Sequence, residues 1–289
     1  MASRLRTEGM MSVTEATQVG LRVSYPSAPF GAIVYGLDWG PPGAETVRIL
    51  TTLLRSRLLI VFRGQESPSH EQLEEFFGSF GRLVLKTYDG TFHYGTFNDD
   101  EKQAVHRKNE QNYVVNVPGG SSELVWHSDQ SHRPQLKILS LLEGVEIPGE
   151  VVPTEFRDMY VAYETLPAAL KFRLQNRQCV FFDPRQPSPE ERPRLADAMH
   201  LVFTPHPHSG RVALYVNDFT RRIVGFSASE SDELLAQLRA HTAANAPRLS
   251  HSWQQGDIVA WDNVGLQHRR DAMPPDQVRK LRQYEGLAE

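Results

Sequence analysis

The residues with the clearest chemical meaning are His127 and Asp129, joined by Ser128 in Trp126-His127-Ser128-Asp129, and the distant His268. Two imidazoles and one carboxylate can occupy one triangular face of an octahedral ion and leave the opposite face open, as non-heme Fe(II) oxygenases do to bind a co-substrate and oxygen. Alternation along a strand puts His127 and Asp129 on one side and Ser128 on the other, so both can reach one ion. A His-x-Asp triplet is by itself a weak signal, because such triplets arise by chance. The third ligand and its distance in the chain raise it, since a sheet can fold back over that length. The same set would also serve a redox-inert zinc hydrolase.

The elements around these residues read as strands with a few helices. Ala44 to Leu58 carries Val47, Leu50, Leu53 and Leu54 at helical spacing and runs into a buried strand, Leu59-Ile60-Val61-Phe62. A second helix starts at Ser69, with Leu73, Phe76, Phe77 and Phe80 on one side and Gly81 as its stop. Lys137 to Ile147 is strand-like, whereas Phe156 to Leu166 and Ala168 to Leu174 read as helices separated by Pro167. His200 to Thr204 and Arg211 to Val216 flank a Pro-His-Pro-His-Ser-Gly turn. Ser227 and Glu230 form a capping box opening a further helix, and Ile258 to Trp261 is a strand leading toward His268.

Between Val84 and Glu123 the texture changes to Gly, Asn, Asp, Tyr and His, which reads as long loop structure and makes 84–123 a candidate active-site lid. Other histidines fit quieter roles. His206 and His208 share a His-x-His spacing that can bind zinc, but Pro205 and Pro207 interleave with them and mark a turn, and His93, His106 and His132 read as loop residues.

Bulk properties narrow the partners. A net charge of −4 with mixed signs gives no broad basic face for nucleic acid or anionic membrane. The lone Cys179 excludes an intrachain disulfide framework or a multi-Cys zinc site and fits a cytoplasmic setting. No apolar run approaches bilayer length, and the start lacks the apolar core of a secretory signal. Residues 1–20 read as a mobile leader and 21–289 as one domain, with no repeat or composition break.

The order Trp126-His127-Ser128-Asp129, Thr154, Gly256-Asp257-Ile258-Val259-Ala260-Trp261-Asp262-Asn263, His268, Arg279 and Arg282 resembles the taurine dioxygenase and 2,4-dichlorophenoxyacetate dioxygenase family of Fe(II)/2-oxoglutarate enzymes. The likeness is nearly full-length. It also takes in Ala162-Tyr163-Glu164-Thr165-Leu166-Pro167 and Ala213-Leu214-Tyr215-Val216-Asn217. The resemblance implies a mainly β fold with flanking helices, a cupin-like jelly roll or double-stranded β-helix with iron near one mouth.

Carried over by position, His127, Asp129 and His268 are the expected Fe(II) ligands, and Arg279 with Thr154 the expected anchor for the far carboxylate of 2-oxoglutarate; O2 is the second co-substrate. A planar guanidinium suits that carboxylate because it offers a charge-assisted fork. Arg282 lies one residue short of a family position that binds anionic substrates, and Lys86 falls in a substrate-binding region. Val151-Val152-Pro153 replaces the family's usual Gly-Gly-Asp before the threonine. Lys86, Arg133, Arg269, Arg270 and Arg282 are expected to surround a small anionic substrate, such as an amino-acid derivative, with Tyr88, Phe92, Tyr94 and Tyr113 against its body. Hydroxylation is expected, with succinate and CO2 as co-products; desaturation and oxidative cleavage are the alternatives, and a non-catalytic binding jelly roll is a different-class reading. Related halogenases lack the carboxylate ligand, so an intact Asp129 argues against halogenation. The family's dimers and tetramers make a homo-oligomer possible.

Overall fold

The structure is a computed structural model that describes residues 16, 19–78, 83–87, 107–108, 113–116, 123–182, 198–274 and 279–288. Near the start, β1 (Arg22–Ser24) and β2 (Ala32–Tyr35) precede α1 (Ala44–Arg57), which buries Ile49, Leu50 and Leu53. Leu58 ends that helix in the left-handed region, at φ 63, and its N–H reaches back to the Leu54 carbonyl at 2.7 Å. The reversal delivers the chain into β3 (Leu59–Phe62), whose four residues are all buried because β3 lies between β2 and a later strand. Ser69 caps α2 (His70–Gly78) in a reciprocal pair with Gln72, at 3.2 and 2.8 Å. Phe76 and Phe77 of α2 pack edge-on with Phe62 and around Trp39.

The described residues of the region expected as long loop form β4 (Leu83–Thr87), β5 (Arg107–Lys108) and β6 (Tyr113–Asn116). Apolar triplets such as Leu83-Val84-Leu85 supply strand propensity that the surrounding Gly, Asn and Asp conceal in an averaged window. Tyr88, Phe92, His93, Tyr94 and His106 lie outside the described residues. Next come β7 (Leu124–His127), β8 (Lys137–Glu146) and β9 (Thr154–Asp158).

That last strand corrects the expected helix from Phe156. The segment is strand because it is paired on both sides, and helix starts only where the Asp158 carboxylate accepts from the amides of Tyr160 and Val161, giving the short α3 (Met159–Glu164). After α4 (Ala168–Leu174) come β10 (Gln178–Phe181), β11 (Ala198–Leu201), β12 (Phe203–Pro205), β13 (Val212–Leu214) and β14 (Thr220–Ile223). The expected capping box opens α5 (Ala228–Asn245), and β15 (Arg248–His251), β16 (Ile258–Asp262), β17 (Leu266–Arg270) and β18 (Arg279–Ala288) complete the chain.

Two antiparallel-rich sheets carry the architecture. The larger runs β1-β2-β3-β16-β8-β18-β6-β5 with β4 also on β18, and the smaller runs β15-β9-β17-β7. They face each other as a jelly roll, with Phe156 of the smaller sheet meeting Trp261 of the larger at 5.4 Å between rings. One cluster of buried apolar residues extends from Ala16 to Tyr284. Ala16 is fully buried and Val19 packs on that cluster, so these two residues of the expected leader belong to the packed body; the rest of 1–18 lies outside the described residues. Among the described residues no helix is long and apolar enough to cross a membrane.

One irregularity shapes the site. On β18, Gly286 pairs with Leu139 and Leu287 with Lys137, leaving Ile138 as an extra residue in β8. Such a bulge inverts the alternation on one side of it. Lys137 and Ser140, three apart in sequence, therefore share one face.

Candidate metal centre

His127 ends β7 and pairs in register with His268 of β17, bringing the two rings to 4.2 Å between centroids. Phe156 stacks on His268 at 5.9 Å, and Trp261 meets it edge-on at 5.0 Å. The Nδ1 of His127 lies 2.8 Å from the Val125 carbonyl, which fixes a proton on that nitrogen and turns the Nε2 lone pair outward. Asp129 Oδ1 stands 3.7 Å from both His127 Nε2 and His268 Nε2. The three ligand atoms lie within 4.8 Å of one another, and this is the one such His/Cys/Asp/Glu group among the described residues. Small rotations would gather them on one ion.

Strand alternation is not what places Asp129, because β7 has already ended. Its backbone is held by Asn263: Asp129 N–H donates to Asn263 Oδ1 at 2.9 Å, and Asn263 Nδ2 donates to the Asp129 and Lys137 carbonyls at 3.1 and 3.0 Å. The second carboxylate oxygen, Oδ2, accepts from Ser140 at 2.7 Å, Lys137 at 3.2 Å and Gln283 at 3.2 Å. Oδ1 is thus presented to the histidines while Oδ2 is saturated.

Electrostatics favour a metal-ready state. Burial would raise the Asp129 pKa, but Lys137, His268 and His127 with the Ser140 hydrogen bond hold it well below the usual carboxylate range. Burial and the neighbouring His127 push His268 down to about 3, against the pull of Asp129, so its imidazole stays neutral as a metal ligand must. The donor set fits a divalent first-row ion.

A second group is built around Arg279 of β18 and Thr154 of β9. Arg279 is 3% exposed and donates from Nη1 to the Val152 carbonyl at 3.0 Å, while its Nε has no partner among the described residues. Burial and the adjacent Arg270 push it down to about 9. Held among the described residues by a carbonyl, the buried guanidinium is suited to receive an anion. Thr154 is buried opposite His251 in the β9–β15 register and accepts from Trp253 Nε1 at 3.0 Å, leaving its own O–H able to donate. Beyond it, His251 lies 3.3 Å from Asp257, which takes a two-pronged bond from Arg63. The Val151-Val152-Pro153 loop therefore supplies a carbonyl to the arginine expected to grip the co-substrate.

The expected substrate cations divide. Arg282 is turned away from Asp129 and bonds Glu143 at 3.2 Å, because it pairs with Glu143 on the opposite face of the larger sheet. Gln283, one residue on, is the side chain that alternation brings to Asp129. Arg269 is bonded to Glu155 on the outer face of the smaller sheet, stacked near Trp126, and Arg133 is exposed. Arg270 is buried beside Arg279. Lys86 pairs with Glu285, which pairs with Ser140, so Lys86 occupies the Ser140 register row. Tyr113 sits on β6 opposite Arg282.

His206 and His208 join no cluster of potential metal ligands among the described residues, and His206 Nδ1 accepts from the His208 and Ser209 amides at 3.1 and 3.2 Å, capping the turn. His132 is half-buried just past the motif. Sequence reasoning missed Lys137, Ser140 and Gln283. The signals for them were a lysine heading an apolar strand and the two-residue period from Arg279 through Leu281 to Gln283.

The chain matches the model of the taurine catabolism dioxygenase TauD, TfdA family over residues 23–284. It is 30% identical over 286 residues to pentalenolactone F synthase of Streptomyces arenae, covering 91% of this chain and 93% of that one. It is 27% identical over 258 residues to the alpha-ketoglutarate-dependent 2,4-dichlorophenoxyacetate dioxygenase of Cupriavidus pinatubonensis, covering 85% and 90%. The fold is similar to that of a taurine dioxygenase from Burkholderia xenovorans, with TM-score 0.71, 24% identity and coverage of 93% and 90%.

Proposed function

This chain belongs to the taurine catabolism dioxygenase TauD, TfdA family, and on that footing we propose that it is an Fe(II)- and 2-oxoglutarate-dependent dioxygenase. His127, Asp129 and His268 are its iron ligands, and Arg279 with Thr154 anchors the co-substrate. The observation that carries the reading is the convergence of Asp129 Oδ1 on both imidazole Nε2 atoms at 3.7 Å, with Arg279 buried and lacking a carboxylate partner among the described residues. When bound, Fe(II) with 2-oxoglutarate and O2 supplies the oxidative chemistry, with succinate and CO2 as co-products.

The protein's own residues set the geometry. Asn263 fixes the Asp129 backbone, the Val125 carbonyl fixes the His127 tautomer, and Phe156 with Trp261 wall His268 off from water. Arg279 and the Thr154 hydroxyl offer charge and a donor to the far end of a dicarboxylate, which orients its other end toward the ligand triad. A zinc hydrolase would have no use for that buried guanidinium.

The substrate is a small anion, best a carboxylate such as an amino-acid derivative, and the reaction is hydroxylation. Lys86, in the Ser140 row, and the 84–123 segment, a candidate lid, are the elements to meet it; a substrate role for Arg282 is not supported by its pairing with Glu143. Anaerobic addition of Fe(II) and then 2-oxoglutarate should produce the weak visible charge-transfer band of the chelate, and D129A should lose it. A wild-type band absent at saturating reagents, or an oxygen-independent activity, would end this reading. A compound screen in which only neutral or cationic molecules stimulate 2-oxoglutarate turnover would end the substrate assignment.

A further inference from the structure

Lys137 is 1% exposed, and its ammonium lies 3.2 Å from Oδ2 of Asp129. Burial of a charge is costly without a partner, so a lysine placed here answers to the carboxylate beside it. Three donors from two strands meet on that single oxygen: Ser140 and Lys137 from β8, brought to one face by the Ile138 bulge, and Gln283 from β18. Two consequences follow. A carboxylate whose second oxygen already accepts three hydrogen bonds is confined to one donor atom for a metal, which keeps three of six octahedral positions open. An arriving dication also meets a buried carboxylate whose second oxygen already lies 3.2 Å from a lysine ammonium, so that ammonium opposes the charge the cation brings.

We propose that Lys137 is a positioning and charge-setting residue of the metal site, making a divalent cation bind weakly alone and tightly together with a dicarboxylate. The extra positive charge that the cation brings is then balanced by the dicarboxylate, and coupling of this kind is reciprocal between the two ligands. This inference rests on the ligand assignment above and extends it to a residue outside the triad.

The test is calorimetric titration of the metal-free protein with Mn(II), alone and in saturating N-oxalylglycine, which reads binding without turnover. In the wild-type protein the dicarboxylate should tighten Mn(II) about tenfold or more, a coupling of at least about 1.4 kcal/mol. K137M, close in shape and uncharged, should bind Mn(II) alone more tightly than wild type and show a smaller enhancement. K137Q, which keeps a donor for Oδ2, should behave like K137M and decides the matter if K137M does not fold. S140A removes a bond without removing charge and should leave the enhancement intact. Neutral variants that bind Mn(II) alone no more tightly than wild type, or that keep the full enhancement, would overturn the proposal. H127A separates the two failures: if it binds Mn(II) like wild type, the ligand assignment is wrong and not merely the role of Lys137.

Discussion

Replacing Asn263 with alanine tests whether the metal site is built by a side-chain clamp rather than by strand geometry. Asn263 is fully buried. Its amide satisfies the Asp129 N–H and the carbonyls of Asp129 and Lys137 at 2.9, 3.1 and 3.0 Å, while its own backbone N–H bonds the Ile138 carbonyl and is indifferent to the substitution. N263A therefore strands one donor and two acceptors in a place water reaches poorly. An unsatisfied buried group costs about 1–3 kcal/mol, and carbonyls with a second lone pair sit at the low end, so the sum is roughly 3–5 kcal/mol. At about 2.1 cal/mol/K of unfolding entropy per residue over 289 residues, that corresponds to a fall in melting temperature of roughly 5–8 °C. Because the freed turn also releases Asp129, Mn(II) affinity should drop about 10–100-fold, as for other groups that orient metal ligands. Thermal unfolding followed by circular dichroism on metal-free protein, with Mn(II) titration of the same sample below its transition, gives both numbers. Melting within about 2 °C of wild type, together with unchanged Mn(II) affinity, would refute the clamp.

Two further expectations rest on other parts of the molecule. R279K keeps a cation but loses the fork, and should raise the KM for 2-oxoglutarate about 100-fold while leaving Mn(II) affinity without a dicarboxylate near wild type; an unchanged KM would remove Arg279 from the co-substrate. Asp158 caps α3 from a buried position, and burial, against its hydrogen bonds from Val161 and Tyr160 and the charge of Arg211, pushes it up to about 6. The folded state thus holds this proton more tightly than the unfolded chain, and ionisation costs stability as the pH rises from about 4 through 6, by at most roughly 3 kcal/mol. D158N, which keeps the acceptor for both amides, should be more stable than wild type at pH 8 and lose that advantage below about pH 4; a variant less stable at both would contradict the sign.

What the sequence made legible was chemistry with a short range. The triad, the buried strand after the first helix and the Ser227–Glu230 box are each written in residues adjacent in the chain or in a known order, and the structure has them. The misread helix at Phe156 and the missed Gln283 share a cause: each was settled by a partner far away in sequence. The Phe156 segment carries helical spacing, yet two neighbours, β15 and β17, hold it as a strand until Asp158 caps the turn. Arg282 and Gln283 differ by one position, and only the register of β18 on β8 decides which side chain meets Glu143 and which meets Asp129.

The Ile138 bulge is the clearest case of this dependence. Strict alternation from Lys137 would send Ser140 to the opposite face, where it could not share Oδ2 of Asp129. One unpaired residue in β8 reverses that parity and turns a lysine on an apolar strand into a neighbour of the metal ligands. The same insertion leaves the Ile138 carbonyl to accept from the Asn263 backbone, tying the bulge to the clamp that fixes Asp129. The Lys137 and Ser140 bonds to Oδ2 and the backbone tie of Asn263 thus meet at one register shift. Deleting Ile138 should accordingly damage the site more than truncating its side chain to alanine.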